Sequence, residues 1–203
     1  MNTSVHGAVR LAWASLRALL VLTVVTGIVY PLAVTGIAQA AFNDEANGSM
    51  VTVQGKEVGS SLIGQSWNLK DTDKPDPKWF QPRPSNSGYD PLTTGSSQLG
   101  ASDPTLLKAV GAAKKQVATF NDVPESAVPK DAVTGSASAI DPHISPEYAK
   151  IQVKRVAKAN GLPEAQVKKL LKEHTEGRAA GFLGNPYVNV LELNIALKKA
   201  GKG

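Results

Sequence analysis

Five side chains between residues 131 and 143, Asp131, Ser136, Ser138, Asp141 and His143, are of the types that nucleophilic hydrolysis needs. Such chemistry takes a hydroxyl to attack, an imidazole to remove its proton and a carboxylate to orient the imidazole. Ser138, His143 and Asp141 in those roles would make the chain a membrane-anchored hydrolase of the cell envelope. The local pattern speaks against it: GSASA is not the G-x-S-x-G nucleophile elbow, and triad members converge in space from separate parts of a chain. Asp141-Pro142-His143 reads instead as a turn closing ahead of a helix at Ser145. The hydrolase stays as the alternative to a subunit role, and a solute-binding module stands as a third reading.

Other chemistries find fewer residues. Cysteine is absent, which excludes thiol nucleophiles, disulfides and Cys-based zinc sites. The three histidines lack H-E-x-x-H or any comparable spacing, so no metal site is expected. ATP would call for G-x-x-x-x-G-K-[ST] or another glycine-rich loop opening a helix. Gly55, Gly59 and Gly64 do not form one, and no D-K-T-G-T phosphorylation motif occurs. No cofactor is bound through a recognisable motif, and the chain reads as a subunit rather than an engine. The net charge of +5 would suit nucleic acid, but only 5% of residues are aromatic and they are scattered, so the stacking platforms of single-strand binders are missing and no nucleic-acid partner is expected.

These residues need elements to hold them. A length of 203 residues suits one domain with accessory segments, and 42% hydrophobic against 19% charged residues is enough to build a core. From residue 18 to 42 the chain runs ALLVLTVVTGIVYPLAVTGIAQAAF without a charge. As a helix rising about 1.5 Å per residue, such a run crosses a hydrocarbon core of about 30 Å. Pro31 and the glycines are tolerated in such a span, and Thr23, Thr26 and Gly27 form a small-residue patch that would admit a second helix. Arg10 and Arg17 precede the run and Asp44 and Glu45 follow it, which keeps the N-terminus in the cytoplasm. A cleaved signal peptide, cut near Ala38-Gln39-Ala40, is the competing reading; the length of the run favours a retained anchor. The expected division is therefore 1–17 cytoplasmic, 18–42 transmembrane and 43–203 extracytoplasmic.

Beyond a polar connector at 43–50, residues 50–53 alternate like a strand. Residues 70–99 are too rich in Pro, Gly and Ser for a helix and form a candidate recognition loop. Asp103-Pro104 opens a helix to about Phe120, with Val110, Ala113, Val117 and Phe120 as its stripe. Ser145-Pro146 opens a second, stopped by Gly161, that buries Ala149, Val153, Val156 and Ala157 and carries Lys150, Lys154 and Lys158 outside. A third runs from Pro163 to about Thr175. Asp131–Thr134 suggests a short strand before a flexible TGSASAIDPHIS stretch, and the segment from Tyr187 begins as a strand and turns helical through Val190, Leu193 and Leu197. The fold class is a mixed α/β soluble domain with one N-terminal transmembrane helix.

Four strings are specific: VGSSLIGQSW, WFQPRPSNSGYDP, DAVTGSASAIDPHISPEYAKIQVKRVA and GNPYVNVLELNIAL. With the N-terminal span and the order of segments, the chain resembles the KdpC subunit of bacterial potassium-transporting P-type ATPases over nearly its whole length. It departs from the family pattern at Asn86, Ser87, Ala137 and Ala139, all in loops. The resemblance implies an inner-membrane, high-affinity potassium uptake complex in which this subunit joins a channel-like pore subunit and a P-type catalytic subunit. ATP and potassium are then handled by the complex. It also implies a catalytic chaperone that raises the ATP affinity of the catalytic subunit through a shared nucleotide complex, which sits badly with a domain outside the cytoplasm; coupling through assembly would reconcile the two. The family strings nominate a docking surface: Gly59, Ser60, Leu62, Ile63, Gly64 and Gln65; Phe80, Arg83, Pro84 and Ser85; Asp141, Pro142 and His143; and Gln152 with Arg155. Thr23, Thr26, Gly27 and Pro31 are the candidates for packing inside the membrane. Internal pairing of Arg83 and Arg155 with acids is the competing reading of those two.

Overall fold

The computed structural model describes residues 5–201, so residues 1–4 of the expected cytoplasmic segment lie outside it. Contacts divide the chain into two units, 1–49 and 50–203.

The first unit is helical. Helix α1 (Val5–Val24) passes through a wider π turn at Val25–Val29 into α2 (Tyr30–Ala41). Pro31 supplies the reason: it has no N–H to give to the carbonyl four residues back, and its ring crowds that carbonyl. The helix widens by one residue there, and Tyr30 donates instead to Val25 O. Thr26 Oγ1 donates to Leu22 O at 2.7 Å, satisfying its hydroxyl without an outside partner. Gly7–Ala41 is a 35-residue helix with a mean hydropathy of 2.2 over its most apolar stretch, in which no residue is buried. The helix thus starts well before residue 18 and carries Arg10 and Arg17 on it. Phe42 breaks it (φ −138°), and Asn43–Ala46 forms one more turn, α3, where a plain connector was expected. Gln39 Oε1 accepts from Asn43 Nδ2 at 3.0 Å and Asn47 Nδ2 at 3.2 Å, which ties that turn back to α2.

The second unit opens on a hairpin, β1 (Met50–Val53) and β2 (Lys56–Ser60). Its two-residue turn, Gln54-Gly55, has both φ angles positive (51° and 75°), which is the type I′ geometry that follows the twist of paired strands. A long irregular segment leads to α4 (Pro104–Asn121). Then come short 3₁₀ turns at Glu125–Ala127 and Lys130–Ala132, β3 (His143–Ile144), α5 (Pro146–Asn160), α6 (Glu164–Glu173), β4 (Thr175–Glu176), β5 (Tyr187–Asn189) and α7 (Val190–Ala200). The three short strands form an antiparallel sheet in the order β3-β5-β4.

Caps explain the helix starts. Asp103 Oδ1 accepts from Thr105 N at 2.7 Å, Ser145 Oγ from Tyr148 N at 3.0 Å, and Asn189 Oδ1 from Leu191 N at 3.1 Å. Gly161, at φ 66°, ends α5 in the left-handed conformation that glycine adopts without strain. The expected stripe of α5 is buried as read: Ala149, Val153, Val156 and Ala157 pack with Val167 and Leu171 of α6, Val188 of β5 and Val190, Leu193 and Leu197 of α7. The expected strand at Asp131–Thr134 is instead a 3₁₀ turn. Asp131 is committed elsewhere, its carboxylate accepting from both Ser145 N (2.7 Å) and Ser145 Oγ (2.8 Å) and so bracing the cap of α5.

Candidate functional site

Three of the four strings singled out in the sequence converge. Gly64 N donates to Ile140 O at 2.7 Å, and a side chain at Gly64 would place its Cβ only 2.7 Å from Asp141 O, so glycine lets the two loops touch. Arg83 Nη1 pairs with Asp141 Oδ2 at 3.1 Å, while its other nitrogens reach Thr134 O and Gly135 O at 3.2–3.3 Å. Ser85 Oγ donates to Ala139 O at 2.6 Å, and the Tyr89 hydroxyl donates to Arg83 O. The TGSASA stretch, expected to be flexible, is thereby stitched to the Pro-rich loop.

Asp141 sits at the centre. Its Oδ1 accepts from His143 N at 2.9 Å and lies 3.3 Å from His143 Nδ1, whose ring meets Tyr187 edge-on at 4.4 Å. Burial pushes the Asp141 carboxyl up, but the hydrogen bonds and charge of His143, with the charge of Arg83, outweigh it and hold the group below the usual carboxylate range. Burial, seconded by Tyr148, pushes the Tyr89 phenol above its ordinary value, so it stays a neutral donor.

This surface does not assemble Ser138, His143 and Asp141 into a triad. Ser138 Oγ lies 3.2 Å from Ser136 Oγ and accepts from Ile140 N at 3.2 Å, with no bond to His143 among the described residues. His143 and Asp141 are paired, but the pair is not joined to a nucleophile. Among the described residues no group of three or more His, Asp or Glu could hold a metal ion.

Burial sorts the nominated docking residues. Leu62 and Pro84 are exposed, and Gly59, Ser60, Ile63, Gln65, Arg83, Ser85, Asp141 and His143 are partly so. Gly64, Phe80, Pro142, Gln152 and Arg155 are buried within the domain and so present little surface to a partner. The reason is geometric. Phe80 N donates to Asn194 Oδ1 (2.9 Å) while Asn194 Nδ2 donates back to Phe80 O (3.0 Å). Gln81 N donates to Gln152 Oε1 (2.7 Å) while Gln152 Nε2 donates back to Gln81 O (3.1 Å). Two side-chain amides, one on α7 and one on α5, thus pair with an extended piece of the Pro-rich loop much as a neighbouring strand would. Arg155 completes the strap from Nε to Asn121 Oδ1 (2.9 Å), Nη1 to Pro77 O (2.6 Å) and Nη2 to Gln152 Oε1 (2.7 Å), with its guanidinium 4.3 Å over the Phe120 ring. Burial pushes the guanidinium down to about 10, so it remains charged at neutral pH. Arg155 pairs with amides and carbonyls, and Arg83 pairs with an acid inside the domain, as the competing reading had it.

Asn194 was not singled out in the sequence. Its signal was there: it stands four residues after Val190 on the apolar face of α7, where an unpaired amide would be costly.

The comparisons agree with this architecture. The family model for KdpC, described as the c chain of K+-transporting ATPase, matches residues 12–199. A potassium-transporting ATPase KdpC subunit of Streptomyces avermitilis is 52% identical, covering 98% of this chain and 98% of its own length. Namesakes from Streptomyces coelicolor and Kineococcus radiotolerans are 54% and 47% identical, over 97% and 98% of this chain and 96% and 99% of their own. A capped α/β domain behind one apolar N-terminal helix, matched almost end to end, makes this chain a member of the KdpC family.

Proposed function

We propose that this chain is a non-catalytic accessory subunit of an ATP-driven potassium uptake complex of the bacterial inner membrane. The observation that carries the reading is the family match over residues 12–199 together with a Gly7–Ala41 helix long and apolar enough to cross a membrane. That helix finds its solvent in lipid and in a second membrane helix, for which Thr23, Gly27 and the Pro31 turn offer close approach. Arg10 and Arg17 hold the N-terminus in the cytoplasm, and residues 50–203 then lie outside, docked on the pore subunit through the exposed rim of Leu62, Arg83, Pro84 and His143. Potassium and ATP are bound by the other subunits. A rise in the ATP affinity of the catalytic subunit would reach it through assembly, because a subunit that prefers one conformation of its partner shifts the ligand affinity of that partner by linkage.

Topology and docking are tested separately. Ser126 is exposed and the chain has no native cysteine, so Ser126→Cys gives one reporter thiol. It should react with a membrane-impermeant maleimide in intact cells; reaction only after lysis would place the domain inside and revive direct contact with ATP. Leu62→Asp should reduce co-purification of the pump subunits without shifting the melting transition of this chain. Unchanged co-purification would remove the docking assignment, and hydrolysis of an ester substrate by the purified chain, abolished by Ser138→Ala, would favour the hydrolase.

A further inference from the structure

A cleft of ≈ 250 Å³ opens between the β1–β2 hairpin, the Trp67–Trp79 pair and α7. Its walls are apolar: Val53, Val58, Leu191 and Ile195 join the two indoles, whose centroids are 5.2 Å apart. Lys198 and Lys199, from the last turn of α7, also line it, and no acidic residue does. Neither lysine makes an ion pair among the described residues, although four other lysine or arginine side chains in the domain do. Trp67 Nε1 adds a second oddity. Among the described residues it is the one buried side-chain polar atom without a hydrogen-bond partner. An orphaned buried donor is uncommon and points to an acceptor that the chain itself does not supply.

We propose that this cleft binds an anionic amphiphile, a short alkyl or aryl tail bearing one carboxylate or phosphate. The indoles and aliphatic walls take the tail, the two lysines take the head, and a small rotation of Trp67 offers its N–H to an oxygen of the ligand. A site that is mostly apolar with a few convergent polar groups is the usual design for small-molecule recognition. The inference does not depend on the subunit reading, since the cleft lies within the domain and Leu62, Arg83, Pro84 and His143 are not among its lining residues.

The test uses the full chain in nanodiscs of zwitterionic lipid, with Trp13→Phe so that emission comes from Trp67 and Trp79 alone. Octanoate should change that emission saturably, and octanol at least tenfold more weakly. The double variant Lys198→Gln/Lys199→Gln should weaken octanoate at least tenfold with an unchanged far-UV spectrum, and Val58→Phe, which fills the cleft from an exposed strand position, should abolish the response. Repeating the titration in discs containing phosphatidylglycerol identifies the source: competition with octanoate means that the lipid itself occupies the cleft, and no competition leaves the free acid. Equal responses to octanol and octanoate, no saturation, or lysine variants that bind normally would overturn the proposal. So would an emission change that appears only when pump subunits are added, since the occupant would then be a protein segment.

Discussion

Asn194 is fully buried and carries two of the four hydrogen bonds by which α7 and α5 hold the backbone of Phe80 and Gln81. Asn194→Ala leaves one N–H and one C=O in the core without partners. At about 1–3 kcal/mol for each unsatisfied group, the loss is about 2–6 kcal/mol before any cavity is counted. That is a large share of the about 5–15 kcal/mol by which a domain is stable. Asn194→Asp is the sharper probe. The carboxylate can still accept from Phe80 N but faces Phe80 O with no proton to share, so burial and that carbonyl raise its folded pKa above the unfolded value of about 3.9. With the folded value raised, the variant stands nearest to wild type below about pH 3.9 and falls away by about 1.4 kcal/mol per pH unit above it, until pH reaches the folded pKa. Urea unfolding of the full chain in detergent, followed by tryptophan emission at pH 3 to 7 and compared with wild type at each pH, measures both effects. A loss under about 1 kcal/mol for Asn194→Ala, or a pH-independent deficit for Asn194→Asp, would refute the strap as the element that fixes the Pro-rich loop.

Three further outcomes follow from the same geometry. Gly64→Ala forces a methyl to within 2.7 Å of Asp141 O and should destabilise the domain by about 1–3 kcal/mol, seen as a lowered urea midpoint with an unchanged slope. Because the folded pKa of Asp141 is depressed, its contribution is fully present above the unfolded value of about 3.9 and is lost as pH falls through the folded one. The gap in unfolding midpoint between wild type and Asp141→Asn should therefore be wide at neutral pH and narrow on acidification. Lys154→Ala, which breaks the exposed 2.8 Å pair with Asp122, should leave the midpoint where it is, because solvent and salt screen such a pair.

How much of this was readable from the chain depended on range. Helices α4 and α5 could be placed from neighbours in sequence, since Asp103, Ser145 and Gly161 act within four residues of where they stand. The hairpin turn was missed because Gln54 occupies a left-handed position where Asn or Asp would have announced it. Asp131 misled for a related reason: its carboxylate serves a cap 14 residues away, and nothing local marks that. The burial of Gln152 and Arg155, both nominated for docking, was hidden by distance too. The type and spacing of Gln152 and Arg155 suit a recognition surface as well as a core, and only the fold reveals that they hold the backbone of Gln81 and Pro77, 71 and 78 residues distant. The Arg83–Asp141–His143 cluster, by contrast, was legible as a set, because each member lay in a distinctive string.

The strap also imposes a timetable on the newborn chain. Phe80 is made 114 residues before the asparagine that must receive it. At roughly 5–20 residues per second, translation leaves the Pro-rich loop waiting about 6 to 23 s for α7 to be synthesised. Throughout that interval the backbone N–H and C=O of Phe80 lack the α7 amide that pairs with both. A ribosome stalled or a message truncated before residue 194 would release a chain with its aromatic loop bare, a substrate for chaperones and proteases. Helix α7 is in this sense a quality check, admitting to the folded state only chains that have been read past residue 194.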